Sequence, residues 1–347
     1  MADVPHAPPA ANRPGPARPR RLPWVQLALL LALVLAVAVW LRLTIGGLGE
    51  GAERQMILDI RAQRVATAGI VGAALAVAGV LLQSLLRNPL ASPDLLGLAS
   101  GSGLGMMAAV YGAFLLTGRL ADPGSLGAGG AAMAGACGTL GLVYAISQRR
   151  GFIEPFSLVL VGVIVGLMCG AGITLVQHLM PDGGFASGRL LVGALDENAR
   201  WARIGVIGII TGLCCAIAWF MAPSMDRAAL SDDEATSVGV HLGRLRTVQF
   251  LLAGLLTACA VLLAGPVGFI GLVAPHTVRM IAGARHGGLV LCAALCGAFM
   301  VVGADLLIAA LHQARPGLGN VPLSVVTALV GGPVFVLVLR SQRGFVG

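Results

Sequence analysis

Apolar stretches close to the roughly 20 residues that an α-helix needs to cross a bilayer recur along this chain too often for a soluble core. Ten are read in its 347 residues: 24–45, 65–86, 97–118, 126–147, 157–179, 203–221, 247–264, 268–283, 288–310 and 323–340. The seventh and eighth are nearly continuous, divided only by Gly265-Pro266-Val267-Gly268. With 57% hydrophobic residues, 11% charge and a mean hydropathy of +0.90, the composition agrees with an all-α polytopic membrane protein. Lipid cannot satisfy backbone groups freed at a helix break, so a span interrupted by polar residues is costly and usually lines a cavity or path. Residues 61–105 are such a segment: Arg61 and Arg64, an apolar run, a break at Arg87-Asn88-Pro89, then a glycine ladder.

All 23 basic residues are arginine. A P-loop needs a lysine on the phosphates, so any ATP that drives this chain is bound by another polypeptide. The Pro-, Ala- and Arg-rich segment 1–23 reads as a disordered basic tail, and 24–347 as one ten-helix domain. The run at 24–45 is long and lacks a small-residue cleavage site, which favours a retained first helix over a secretory signal. Arginine counting puts both termini in the cytoplasm, with fourteen arginines inside and nine outside. Arg42, Arg61, Arg64 and Arg315 are among the outside nine and need another explanation.

The seven cysteines all fall within the spans; Cys292 and Cys296 lie one turn apart, but no histidine or carboxylate completes a metal site, so packing is the simpler role. Gly97, Gly101 and Gly105 form one ridge and Gly162, Gly166 and Gly170 another, as in tightly packed membrane helices. The longest polar interruption, 222–246, reads as a cytoplasmic loop. Within it Ser231-Asp232-Asp233-Glu234 predicts an N-cap with an acidic first turn, hence a short helix. On the outside, the apolar piece Leu190–Leu195 is too short to span and predicts a re-entrant or interfacial helix, with Trp201 at the headgroup level.

Three blocks now point one way. The first is Arg61 and Arg64, followed by Gly72, Ala78-Gly79, Gln83 and the run Arg87–Gly97; the second is Leu230–Gly239; the third is Ala264–Arg279 (AGPVGFIGLVAPHTVR), followed by Gly283 and His286. With Ala304-Asp305 and Val321-Pro322, they closely resemble the FecCD family, the permease subunits of ABC importers for iron-siderophores, haem and vitamin B12. The likeness covers roughly residues 55–343.

The resemblance implies a non-catalytic transport subunit of the bacterial inner membrane that binds no cofactor itself. It would pair with a second permease, as homo- or heterodimer, around a translocation path for a ferric siderophore or, alternatively, haem or cobalamin. Two cytoplasmic ATPases, using ATP and Mg, would dock beneath, and an extracytoplasmic binding protein would deliver substrate. It further implies that Arg61 and Arg64, with Arg315 as an additional candidate, meet glutamates of the binding protein. Leu230, Ser231, Asp232, Asp233, Glu234, Ala235, Ser237 and Gly239 match the coupling element that sits in the ATPase groove. Ser231 stands where glycine is usual, and Ala309 where many members carry an arginine four residues after the aspartate; a heterodimeric partner would explain the latter.

Gln83, Asn88, Pro89 and Asp94 border the break and are candidates for the path or gate; for Asn88 and Asp94 capping of the broken helix ends is the favoured reading, and the two roles are compatible. His276 and Arg279 are read as structural or ATPase-facing residues of the inner side. Asp305 is an intramembrane carboxylate, read as a relay or as a structural ion pair beside Arg315 and His312. Two other classes compete with the permease. An ion-coupled secondary transporter would favour a midplane ionisable cluster, and an intramembrane enzyme a nucleophile–base or metal pair on facing helices. Neither grouping stands out.

Overall fold

In the computed structural model the chain is described over residues 22–46, 50–119, 126–149, 152–153, 155–180, 193–195, 200–283, 285–315 and 321–343. The helices are α1 (Trp24–Thr44), α2 (Gly51–Leu85), α3 (Leu98–Thr117), α4 (Leu126–Ser147), α5 (Pro155–Leu179), α6 (Trp201–Ala228), α7 (Asp232–Ser237), α8 (Leu242–Ala264), α9 (Ile270–Ala282), α10 (His286–Ala314) and α11 (Leu323–Arg343). A 3-10 turn, Pro93–Leu96, precedes α3, and a two-residue antiparallel pair, Gln148–Arg149 with Phe152–Ile153, joins α4 to α5. Each of the ten expected segments is a helix, and the described residues are all-helical apart from that small pair and short connections.

The boundaries differ from the sequence reading in four informative ways. α2 begins at Gly51 rather than 65, because the charged stretch before Arg64 stays helical instead of forming a loop. α6 runs through Pro223 to Ala228 and α8 starts at Leu242, so the expected 222–246 loop shrinks to α7 and its two short flanks. α9 has 13 residues, about 20 Å at 1.5 Å per residue, too short to cross a hydrocarbon core of about 30 Å. Its start is set by Phe269, whose φ of +70° is a left-handed conformation that no helix continues through. Among the described residues eight helices are long and apolar enough to span; α9 and the apolar part of α11, Leu323–Pro333, are shorter. The tail 1–21 and most of 181–199, including Leu190, lie outside the described residues.

α2 sits at the centre. In its most apolar window 72% of residues are buried, against 11% in α1, which is therefore peripheral. α2 packs on α10, α8 and α9, and α3 packs on α4 and α5. Close backbone approach makes these contacts: a methyl at Gly72 would overlap the Gly297 carbonyl, and one at Gly79 the Gly271 carbonyl. In lipid, where apolar helices gain little from leaving tails for one another, such small-residue contacts are what bring helices together. The predicted ridge behaves likewise, with Gly97 against Gly162 and Gly166, and Gly101 and Gly105 against α4.

The two ends of the bundle are distinct. At the Trp24 end, Cys292 Sγ donates to the Trp24 carbonyl at 3.4 Å, and Leu22 N–H to Ile281 at 3.2 Å. α7, the break after α2 and the start of α10 share this end. The Thr44 end holds the start of α2 and the close of α10.

Candidate functional site

At the Thr44 end three helices converge on one carboxylate. Asp305 of α10 is 1% exposed, and accepts Arg42 Nε at 2.6 Å and Arg64 Nη2 at 2.7 Å. A buried charge is tolerated only when it is paired and hydrogen-bonded, and here one carboxylate serves two guanidiniums. Arg61, one turn before Arg64, donates to the carbonyls of Leu43 at 2.9 Å and Gly46 at 3.0 Å, fastening α2 to the end of α1. Arg42, Arg61 and Arg64 line a cavity of about 420 Å³ whose walls include Ile60, Ala309 and His312. With three arginines against one carboxylate, its charge is positive.

Asp305 is thus in an ion pair, one of its two sequence readings, but among the described residues its partners are Arg42 and Arg64 rather than Arg315 or His312. Arg315 follows α10 as an exposed residue and is not on the cavity wall. Arg42, counted among the outside arginines, was given no site role from the sequence. The signal for it was an arginine inside the last turn of an otherwise apolar span, a position that in lipid calls for a counter-charge. The counter-charge lies 263 residues away, beyond any local pattern.

At the Trp24 end α7 forms as the sequence predicts. Ser231 Oγ accepts Glu234 N–H at 3.3 Å and Glu234 Oε2 accepts Ser231 N–H at 3.1 Å, a reciprocal capping box. Ala235 is fully buried and anchors the helix, while Leu230, Ser231, Asp233, Glu234, Ser237 and Gly239 are exposed. Gly239 takes φ +82° to turn the chain towards α8. Asp232 is engaged from two sides. Arg87 Nη2 donates to Oδ1 at 2.5 Å, and Arg246 Nη2 to both oxygens at 3.0 Å. Burial pushes the Asp232 carboxyl up, but hydrogen bonding and charge from Arg246 and then Arg87 outweigh it and hold the group below the ordinary carboxylate range. Glu234 is also held low, first by its side-chain bond to Ser231. Beside α7, a groove of about 870 Å³ runs along Gly239–Val248.

The break after α2 is built from local bonds. Leu86 closes the helix and Arg87 follows at φ +47°. Asn88 Oδ1 accepts Leu90 N–H at 2.9 Å, and Pro89 is exposed. The cap of the 3-10 turn is Ser92 rather than Asp94, its hydroxyl accepting Asp94 N–H at 3.4 Å and donating to Asp94 Oδ2 at 3.0 Å. A Ser-Pro pair at N-cap and N1 was the signal. Asp94 remains exposed at the break, its carboxylate hydrogen-bonded to the Phe269 backbone at the start of α9. Gln83 is instead buried, within 3.4 and 3.5 Å of the Ala91 and Gly271 carbonyls, and ties α2 to the break and to α9. His276 is buried in α9 and Arg279 half-buried one turn on; both lie towards the Trp24 end, where Asp226 accepts His286 N–H at 2.9 Å and meets its Nδ1 at 2.7 Å.

Known proteins resemble this chain in sequence and fold. The profile of the FecCD transport family matches residues 22–341. The chain is 32% identical to the molybdate import system permease protein MolB of Haemophilus influenzae, over 84% of this chain and 83% of that one. It is 35% identical to the ferric enterobactin transport system permease protein FepG of Escherichia coli, over 83% of each chain. Among solved structures, a metal-chelate type ABC transporter in an inward-facing conformation superposes with a TM-score of 0.80 at 29% identity, covering 91% of this chain and 99% of that one. The chain therefore belongs to the FecCD transport family and is a multi-pass permease of the ABC importer type.

Proposed function

We propose that this permease forms half of the translocation path for a metal chelate, with a ferric siderophore as cargo and haem or cobalamin as the alternatives. The observation that carries this reading is the polarity of the bundle: a positively charged cavity at one end and a capped, acidic six-residue helix at the other. The Trp24 end faces the cytoplasm, where α7 enters a groove of a separate ATPase that supplies ATP and Mg chemistry. The Thr44 end faces outward, where the cavity meets carboxylates of a binding protein. The Leu43 and Gly46 carbonyls hold Arg61, and Asp305 holds Arg64, at the mouth of that cavity, so an entering carboxylate meets forks already in place. Ala309 leaves its wall without the arginine that many relatives carry, and Arg42 brings positive charge from α1 instead.

The test is reconstitution of the permease with its ATPase and binding protein in proteoliposomes. Four probes are offered in turn: a radioiron-labelled ferric hydroxamate, hemin, cyanocobalamin and molybdate, the last because a relative carries that name. ATP-dependent accumulation of the ferric hydroxamate is the expected result; accumulation of molybdate alone would sink the chelate assignment. Failure of any ATPase to co-purify would sink the importer role. Arg61→Glu should weaken stimulation by the loaded binding protein while leaving the ATPase bound. Arg64→Glu should do the same and also lose stability, since it sets a second carboxylate against Asp305. Unchanged uptake in both variants would remove the docking assignment.

A further inference from the structure

A helix that ends in a left-handed residue normally uses glycine there, because any side chain meets a steric cost. After Leu86 closes α2, the left-handed position is taken by Arg87 instead, at φ +47°. The chain accepts that cost, and the side chain shows what it obtains. Arg87 Nη2 donates to the Ala228 carbonyl at 2.9 Å, where α6 closes, and to Asp232 at 2.5 Å, the first residue of α7. Asp232 is held on its other side by Arg246 of α8. One guanidinium thus joins the last turn of α2 and the following break, which runs through Pro89 to Asp94, to the helix proposed to face the ATPase.

We propose that the Arg87–Asp232 pair is the link through which displacement of α7 reaches the break after α2, making Arg87 a positioning residue for transport rather than a contact for ATPase or cargo. This rests on the importer reading above. Asp232 has its carboxylate committed to two arginines of its own chain, whereas the exposed carboxylate of its neighbour Asp233 makes no side-chain hydrogen bond or ion pair among the described residues. The two acidic residues therefore divide the labour: Asp233 is turned to the partner and Asp232 to the bundle. Arg87 and Asp232 are 41% and 50% exposed in the isolated chain, where water weakens their attraction. A docked ATPase that covers them excludes that water and strengthens the pair, so the link tightens when there is a displacement to carry.

A double-mutant cycle tests this in the reconstituted complex, using whichever of the four probes the wild type accumulates. Arg87→Gln and Asp232→Asn should each lower probe transported per ATP hydrolysed by roughly fivefold or more, with the ATPase still co-purifying. The double variant should be no worse than the poorer single, because both cut the same link. Arg87→Lys should recover part of the coupling. Arg87→Gly separates the link from a structural role: it relieves the left-handed residue, so thermal stability should hold or rise while transport per ATP falls. Singles that transport like wild type, or a double that falls to the product of the two, would overturn the link while leaving the importer reading intact. A wild-type complex that hydrolyses ATP without accumulating any probe would overturn both.

Discussion

Asp305 holds Arg42 and Arg64 at once, so its removal leaves two guanidiniums facing each other at the bundle's edge. Asp305→Ala should therefore cost about 3–5 kcal/mol, the usual penalty for stranding a buried charge, read as thermal unfolding in detergent. Removing Arg42 as well should recover part of that loss. A double variant as unstable as the sum of the singles would show that the three side chains do not act as one group. At this scale the sequence displays which residues are out of place in lipid but not with whom they pair. Arg61, Arg64 and Asp305 stood out by charge alone; the Arg42 contact depends on how α1 lies against α10, and no local spacing encodes that. Ser92 is the opposite case. Its capping bond spans two residues and was readable, yet the more conspicuous Asp94 drew the assignment.

Among the elements, α7 was the most legible, because its capping box joins residues three apart and needs no tertiary context. Ser231→Ala should cost the helix about 1 kcal/mol, seen as faster amide exchange over 232–237 with α8 unchanged. Asp232 and Glu234 both titrate below their ordinary values of 3.8 and 4.5. A depressed carboxylate contributes its full stabilisation above the unfolded value and loses it as pH falls through the folded one. Amide protection in α7 should thus stay constant from neutral pH down to about pH 5 and fall only in stronger acid; a loss near neutrality would contradict the ion pairs described. Helix ends were less legible where the deciding interactions are tertiary. Pro223 suggests a stop, since proline removes a helix bond, yet α6 continues past it to Ala228. In the same way, Trp201 Nε1 donates to Asp59 Oδ1 at 2.7 Å, a contact that helps hold the polar start of α2 as helix rather than loop.

For the molecule as a whole, the apolar runs marked ten of the eleven helices among the described residues, while their depths came from contacts that the runs do not specify. α9 reads as a span by composition and is a half-length helix because Phe269 turns the chain just before it. The crowding of α2 against α9 and α10 makes a further prediction. Gly79→Ala forces a methyl onto the Gly271 carbonyl and should destabilise the fold by about 1–3 kcal/mol. Gly112→Ala, where nothing lies within reach of the added carbon, should be silent in the same melting assay. α2 also has a consequence for how the two ends communicate. Its 35 residues make one proline-free helix about 52 Å long, with Arg61 and Arg64 near its start and Arg87 just past its finish. Arrival of a binding protein and hydrolysis of ATP would then push on opposite ends of a single rod. On the proposed reading, a tilt that one partner imposes on α2 would reach the other along the helix itself, with the Arg87–Asp232 pair as its handle at the lower end.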